Sequence, residues 1–156
     1  MKLDKLFNER LITLDLKAEK SSAAIMELAD LLDKEGKLYS KKEYIRDVES
    51  REQKTSTEVG HGIAIPHARS AAVRETSIAF GRSDGFFWNS SVQEQTDLVF
   101  LLAVSDKKPN KRYMQILAEL ARMLIHDDFR SQLRAVKTPS EVLEAIQEGR
   151  AKLIES

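Results

Sequence analysis

The sequence predicts an α/β fold, built as one domain over residues 1–156. Helical and extended patterns alternate along its whole length, the arrangement of a layered α/β protein. Residues 98–104 (LVFLLAV) are apolar at every position, as in a central strand covered on both faces. No Gly/Ser linker, proline-rich stretch, repeat or low-complexity tract divides the 156 residues, a length that suits one ordinary core.

Taken in chain order, residues 11–16 put Ile12, Leu14 and Leu16 on one side and Thr13 and Asp15 on the other, which is strand alternation. Between Ser21 and Glu35, Ile25, Leu28, Ala29 and Leu32 recur at helical spacing, and Gly36 is a suitable stop. Ser40-Lys41-Lys42-Glu43 forms a capping box that opens the next helix. Its stripe runs Tyr44, Val48, Arg51, so Arg51 lies near the helix end on the side of core residues. Extended segments follow at 63–65, 77–81 and 98–104. A helix begins near Pro109, whose missing N–H does no harm in a first turn. Another begins near Asp127. The third opens with a second capping box, Thr138-Pro139-Ser140-Glu141, with proline at its first position. Residues 150–156, after Gly149, are expected to fray.

Composition limits the function classes. Apolar residues are 42% and charged residues 32% of the chain, as in soluble globular proteins. The 25 basic and 25 acidic side chains cancel, which argues against a nucleic-acid or anionic-membrane partner. Absence of cysteine excludes a disulfide scaffold, a thiol nucleophile and a cysteine-ligated zinc site. The first residues, MKLDKLFNERL, are charged where a secretory signal would be apolar, and no apolar run has the length of a membrane span. The expectation is a soluble, cytoplasmic chain that is not membrane-embedded.

The chemically richest stretch is REQKTSTEVGHGIAIPHAR, residues 51–69. His67 follows a short apolar strand and Pro66, which forces Ile65 toward an extended backbone. A histidine so placed sits on a stiff support at the sheet edge. Its unperturbed pKa of about 6.5 leaves a neutral, nucleophilic ring at neutral pH. Phosphoryl transfer asks for a positioned nucleophile with cationic or N–H donors around the transferred group. Arg51 offers a planar fork that suits phosphate, and the helix near Pro109 offers its N-terminus. Taken alone, a histidine after a strand is more often structural, and an arginine at a helix end more often serves the helix dipole.

The run Glu49-Ser50-Arg51-Glu52, then Ser56-Thr57, then Gly60-x-Gly62-Ile63-Ala64-Ile65-Pro66-His67, resembles the signature of enzyme IIA domains of the phosphoenolpyruvate:sugar phosphotransferase system. The class is the fructose/mannitol one, which includes nitrogen-related regulatory proteins. The likeness continues through Phe87-Trp88 and the apolar strand that starts at Asp97. It implies a mixed β-sheet flanked by helices on both faces. It also implies that His67 takes a phosphoryl group on Nε2 from an HPr-like phosphocarrier protein and passes it to a IIB component. Arg51 would steady the group, with Thr57 beside it as a phosphate-binding residue, and no metal or organic cofactor is implied. With no cysteine here, a cysteine-type IIB acceptor must lie outside this sequence. The alternative within the class is a regulatory protein whose phosphorylation state controls binding to target proteins. A third reading, a fold kept only for interaction, is opposed by the intact Arg51, Thr57 and His67.

The sequence departs from the class in three places. Tyr113 stands where many members have a second histidine. It either begins the apolar stripe Tyr113, Ile116, Leu117, Leu120, Leu124 or turns its hydroxyl to His67 or the phosphoryl group. A phenol of pKa about 10 cannot become cationic near neutral pH. Thr55 and Glu58 stand where members often have glycine, and Glu58 is expected to point to solvent. Elsewhere, His61 between two glycines reads as an exposed turn and matches no zinc spacing. His126 reads as a helix-end residue, and residues 86–88 (FFW) as core or a buried turn. Lys107, Lys108, Lys111 and Arg112 form a basic patch, either solvated surface or a rim that attracts a phosphate or an acidic partner.

Overall fold

The structure is a computed structural model that describes residues 2–155, with side chains as far as 153. Two 3-10 turns, Leu3–Leu6 and Glu9–Leu11, lead into β1 (Ile12–Thr13), α1 (Ser21–Lys34) and α2 (Lys41–Lys54). Then come β2 (Glu58–Gly60), β3 (Ile63–Ala64), β4 (His67–Ser70), β5 (Ser77–Phe86) and β6 (Thr96–Ser105). Three helices close the chain: α3 (Asn110–Leu124), α4 (Asp127–Ala135) and α5 (Pro139–Glu155). The strands form one mixed sheet in the order β1-β5-β6-β3-β2, with β4 also paired to β6. This is the expected α/β architecture, a mixed sheet with helices on both faces.

β6 is the spine. Its residues 98–103 are wholly buried, and they alternate between two apolar layers. Leu98, Phe100 and Leu102 join the layer under α3, α4 and α5. Val99, Leu101 and Ala103 join the layer under α1 and α2. β3 and β4 lie parallel to the same side of β6, with Ile63 opposite Leu98, Ala64 opposite Val99 and His67 opposite Leu102. The register does not slip between them. They are two halves of one strand, interrupted where Pro66 has no N–H to give. Among the described residues no strand pairs with the outer side of β4, so His67 stands at a sheet edge.

The helix signals hold. Gly36 takes φ +71°, and Lys37 N–H and Gly36 N–H bond back to the carbonyls of Leu32 and Asp33, both at 3.0 Å, closing α1 in the manner of a Schellman motif. Ser40 Oγ accepts from Glu43 N–H at 3.2 Å, and Thr138 Oγ1 accepts from Glu141 N–H at 3.2 Å. Pro109 is the residue before α3 rather than its first.

Four expectations need correction. Residues 11–16 do not make one alternating strand: Ile12 enters one layer while Leu11 and Leu16 enter the other. After two paired residues the chain crosses the sheet edge, where Leu16 N–H bonds Arg82 O at 2.9 Å and its methyls close over Gly81. His67 follows β3 as expected, but it also opens a further strand, β4, where the sequence pattern predicts none. α5 continues past Gly149 as a helix to Glu155, anchored by Arg150 Nε on Glu119 at 2.8 Å; Ser156 lies outside the described residues. Of residues 86–88, Phe86 and Trp88 are buried but Phe87 is 52% exposed.

Candidate functional site

Three elements converge on His67. β4 carries the ring, held at 7% exposure. α2 brings Arg51 from one layer, and the first turn of α3 brings Tyr113 from the other. The Tyr113 ring stands edge-on to the imidazole, with centroids 5.7 Å apart. β4 is tied to α2 behind the site, where Ser70 Oγ donates to Asp47 at 2.5 Å. Tyr44, fully buried on α2, donates its hydroxyl to Leu102 O at 2.7 Å, the residue in register with His67.

The ring's own hydrogen bond decides its chemistry. Nδ1 lies 2.7 Å from Ile65 O. A carbonyl can only accept, so Nδ1 carries the proton and donates. The Nε2 lone pair is then the one left free. The resemblance implies Nε2, and the Ile65 contact leaves that nitrogen unengaged. Burial, followed by the positive charge of Arg51, lowers the His67 pKa from its ordinary value, while the Ile65 bond and the negative Glu52 oppose the shift. The result is a neutral ring at neutral pH.

Arg51 is anchored by Nη1 donating to Thr55 O at 2.9 Å, which leaves the rest of its fork for an anion. Its charge acts on Tyr113 as well as on His67. Burial raises the Tyr113 pKa and Arg51 partly offsets that rise, so the phenol stays neutral and protonated. Arg51 and Tyr113 also border a polar cleft of about 480 Å³ with Lys54, Asp47, Arg69 and Asp106.

Thr57 does not fit its expected role. It is 5% exposed, and its hydroxyl donates to Glu52 Oε1 at 2.5 Å rather than toward His67. Thr55 has an extended backbone that needs no glycine. The Glu58 carboxylate bends back to accept from Gly60 N–H at 2.5 Å. His61, with φ +56°, opens on a separate cleft of about 570 Å³ with Asp84, Glu94 and Arg134. His126 is exposed between α3 and α4. Among the described residues no cluster of three acidic or imidazole groups could hold a metal, and no helix is long and apolar enough to cross a membrane.

Sequence reasoning missed Glu52 and Arg69. The Glu52 carboxylate collects Thr57 N–H and Trp88 Nε1–H, both at 2.9 Å, besides the Thr57 hydroxyl. The available signal was Trp88 itself, because a buried indole N–H needs an acceptor. Arg69, two residues after His67, donates to Lys108 O at 2.9 Å and Asp106 O at 2.7 Å. That clamp fixes the turn from which α3 presents Tyr113. An arginine in a short edge strand gives no such signal in sequence.

Residues 5–149 match the family model described as phosphoenolpyruvate-dependent sugar phosphotransferase system, EIIA 2. The chain is 33% identical over 149 residues to the fructose-specific EIIABC component of Bacillus subtilis, covering 95% of this chain but 23% of that protein. It is 30% identical to a fructose-specific EIIA component of Haloferax volcanii, covering 88% of this chain and 90% of that one. Among solved structures, the nitrogen regulatory protein IIA-Ntr of Neisseria meningitidis superposes with a TM-score of 0.82 at 26% identity, over 92% of this chain and 97% of that one. IIA in the Escherichia coli complex of mannitol IIA with phosphorylated IIB superposes with a TM-score of 0.78 at 23% identity, over 91% and 97%, a likeness of fold alone.

Proposed function

Because this chain belongs to the EIIA 2 family of the phosphoenolpyruvate-dependent sugar phosphotransferase system, we propose that it is a phosphoryl carrier in which His67 accepts the group from an HPr-like phosphocarrier and hands it to a IIB component. The observation that carries this reading is the Nδ1–Ile65 bond, which commits one ring nitrogen and frees the other.

In the proposed step, neutral His67 Nε2 attacks the phosphorus of a donor phosphohistidine in line. The new N–P bond forms as the donor N–P bond breaks, and the donor imidazole leaves with the electron pair. The His67 ring becomes cationic as it is phosphorylated, and Ile65 O meets that charge through Nδ1–H without moving a proton. Arg51 offsets the charge of the phosphoryl oxygens. Tyr113, unable to become cationic, supplies a neutral wall and a hydroxyl donor. Docking of a partner is supported by exposed apolar residues: Met114 at 54%, next to Tyr113 in the chain, and Ile125 at 71% and Val59 at 56%, the last two bordering an apolar groove with Ile63 and Ile65.

A regulatory role, in which phosphorylation of His67 switches binding to a target protein, is the second reading. It is favoured by the likeness to IIA-Ntr.

The test is intact mass after incubation with phosphoenolpyruvate, enzyme I and HPr, or their nitrogen-related paralogues, beside a His67→Ala control. An acid-labile gain of one phosphoryl group in the parent alone is expected. No gain with either donor system in folded protein would overturn the carrier mechanism.

A further inference from the structure

We infer that Glu52 is a positioning residue that sets both the nucleophile and the phosphate-binding arginine of this site through one short segment, residues 55–57. The inference rests on the carrier reading for its functional meaning. Its physical basis is an unbroken series of contacts. Trp88 Nε1–H, Thr57 N–H and Thr57 Oγ1–H all donate to the two Glu52 oxygens. Thr57 O in turn accepts from Ile65 N–H at 3.0 Å, and Ile65 O accepts from His67 Nδ1–H at 2.7 Å. Trp88, Thr57, Ile65 and His67 are all at most 7% exposed and Glu52 is half-buried, so water has little access to these groups.

The series transmits position rather than charge. Thr57 donates through one peptide group and accepts through the next, so no single peptide links Glu52 to the ring. Glu52 fixes Thr57, Thr57 fixes Ile65, and the Ile65 carbonyl sets the plane and tautomer of the imidazole. The same segment holds Arg51, whose Nη1 donates to Thr55 O. Moving residues 55–57 therefore displaces the nucleophile and the cation that serves it together.

A carboxylate suits this place because three donors converge on it, and an ionised carboxylate only accepts. Glutamine preserves most of the geometry. Its oxygen can face the two N–H donors, and its amide can donate to Thr57 Oγ1, a hydroxyl that turns to accept. Glu52→Gln thus removes the charge and keeps the position, whereas Glu52→Ala removes both. The charged and titratable groups facing His67 are Arg51 and Glu52 from α2 and Tyr113 from α3. Loss of the Glu52 charge leaves Arg51 unopposed.

The experiment is a long-range 1H–15N correlation of the histidine rings across pH, with phosphoryl acceptance measured on the same samples. His67 is assigned by its absence in His67→Ala. In Glu52→Ala the ring should shift from the Nδ1–H tautomer toward a mixture, and acceptance should fall about 10–100-fold, the scale of a small misplacement. Glu52→Gln should keep the tautomer, recover most of that loss and titrate at lower pH than the parent. Parent-like tautomer and rate in Glu52→Ala would overturn the inference. If Glu52→Ala does not fold, Glu52→Asp decides: it keeps the charge but draws the carboxylate back from Thr57 and Trp88, and a parent-like tautomer and rate there overturn the inference. The ring spectra need no phosphoryl donor, so a parent that accepts no phosphate refutes the carrier reading separately.

Discussion

Replacing Arg51 with glutamine should separate two effects of one guanidinium. In the folded protein Nη1 is held by Thr55 O at 2.9 Å, and the remaining donors are free for the phosphoryl oxygens. A hydrogen bond to a charged partner contributes about 1.5–3 kcal/mol, and each 1.4 kcal/mol is a factor of ten. Loss of that contact in the transition state therefore lowers phosphoryl acceptance about 10–100-fold. The second effect has a fixed sign. Arg51 lowers the His67 pKa, so removing its charge must raise the pKa, and more of the ring is protonated at any pH near it. Rapid-quench phosphorylation measured at several pH values reads both effects: the plateau rate above the pKa falls, and the inflection moves to higher pH. An inflection that stays in place or moves down would show that the guanidinium does not act on the ring, and the assignment of Arg51 would fail with it.

Three further outcomes follow from the geometry. Gly62→Ala should destabilise the fold by about 2 kcal/mol, since φ is +78° and a Cβ would lie 2.6 Å from Asp97 Oδ1 and 2.8 Å from Arg134 Nη2; urea denaturation measures this. Arg69→Ala should lower the melting temperature by a few degrees and slow phosphoryl acceptance. Arg69→Lys should recover little, because an ammonium cannot span the two carbonyls that the fork bridges. Finally, the His67 pKa lies below its unfolded value of about 6.5, so the unfolded chain binds more protons between the two values. Its contribution to stability is fully present above about pH 6.5 and is lost as pH falls toward the folded pKa. His67→Gln should lose less stability than the parent between pH 8 and pH 5 in urea midpoints, and equal losses would contradict the buried neutral ring.

The parts of this fold that are legible in sequence are those whose signals are local. Ser40, Gly36 and Thr138 act on backbone groups within a turn of themselves, and β6 shows its burial in an unbroken apolar run. The parts that are not legible depend on partners far along the chain. β4 reads His-Ala-Arg-Ser because one face meets α2, the other faces the site, and no strand among the described residues pairs with its outer edge. That environment leaves no alternation to detect. Glu52 looks like an ordinary carboxylate in a polar last turn until Trp88 arrives from 36 residues away. The motif puts Thr57 near the phosphate, yet its hydroxyl answers to Glu52. The motif locates the loop, while the direction of each side chain follows from tertiary contacts.

The site draws one residue from each layer. His67 lies on the edge strand, Arg51 comes from the helix pair on one face, and Tyr113 from the helical layer on the other. A chain with only one layer docked would hold its histidine without either the cation or the aromatic wall. On the carrier reading, phosphoryl acceptance is therefore a probe of completed assembly. Destabilising substitutions far from His67 should reduce activity in proportion to the folded fraction, with the surviving molecules working at the parent's rate.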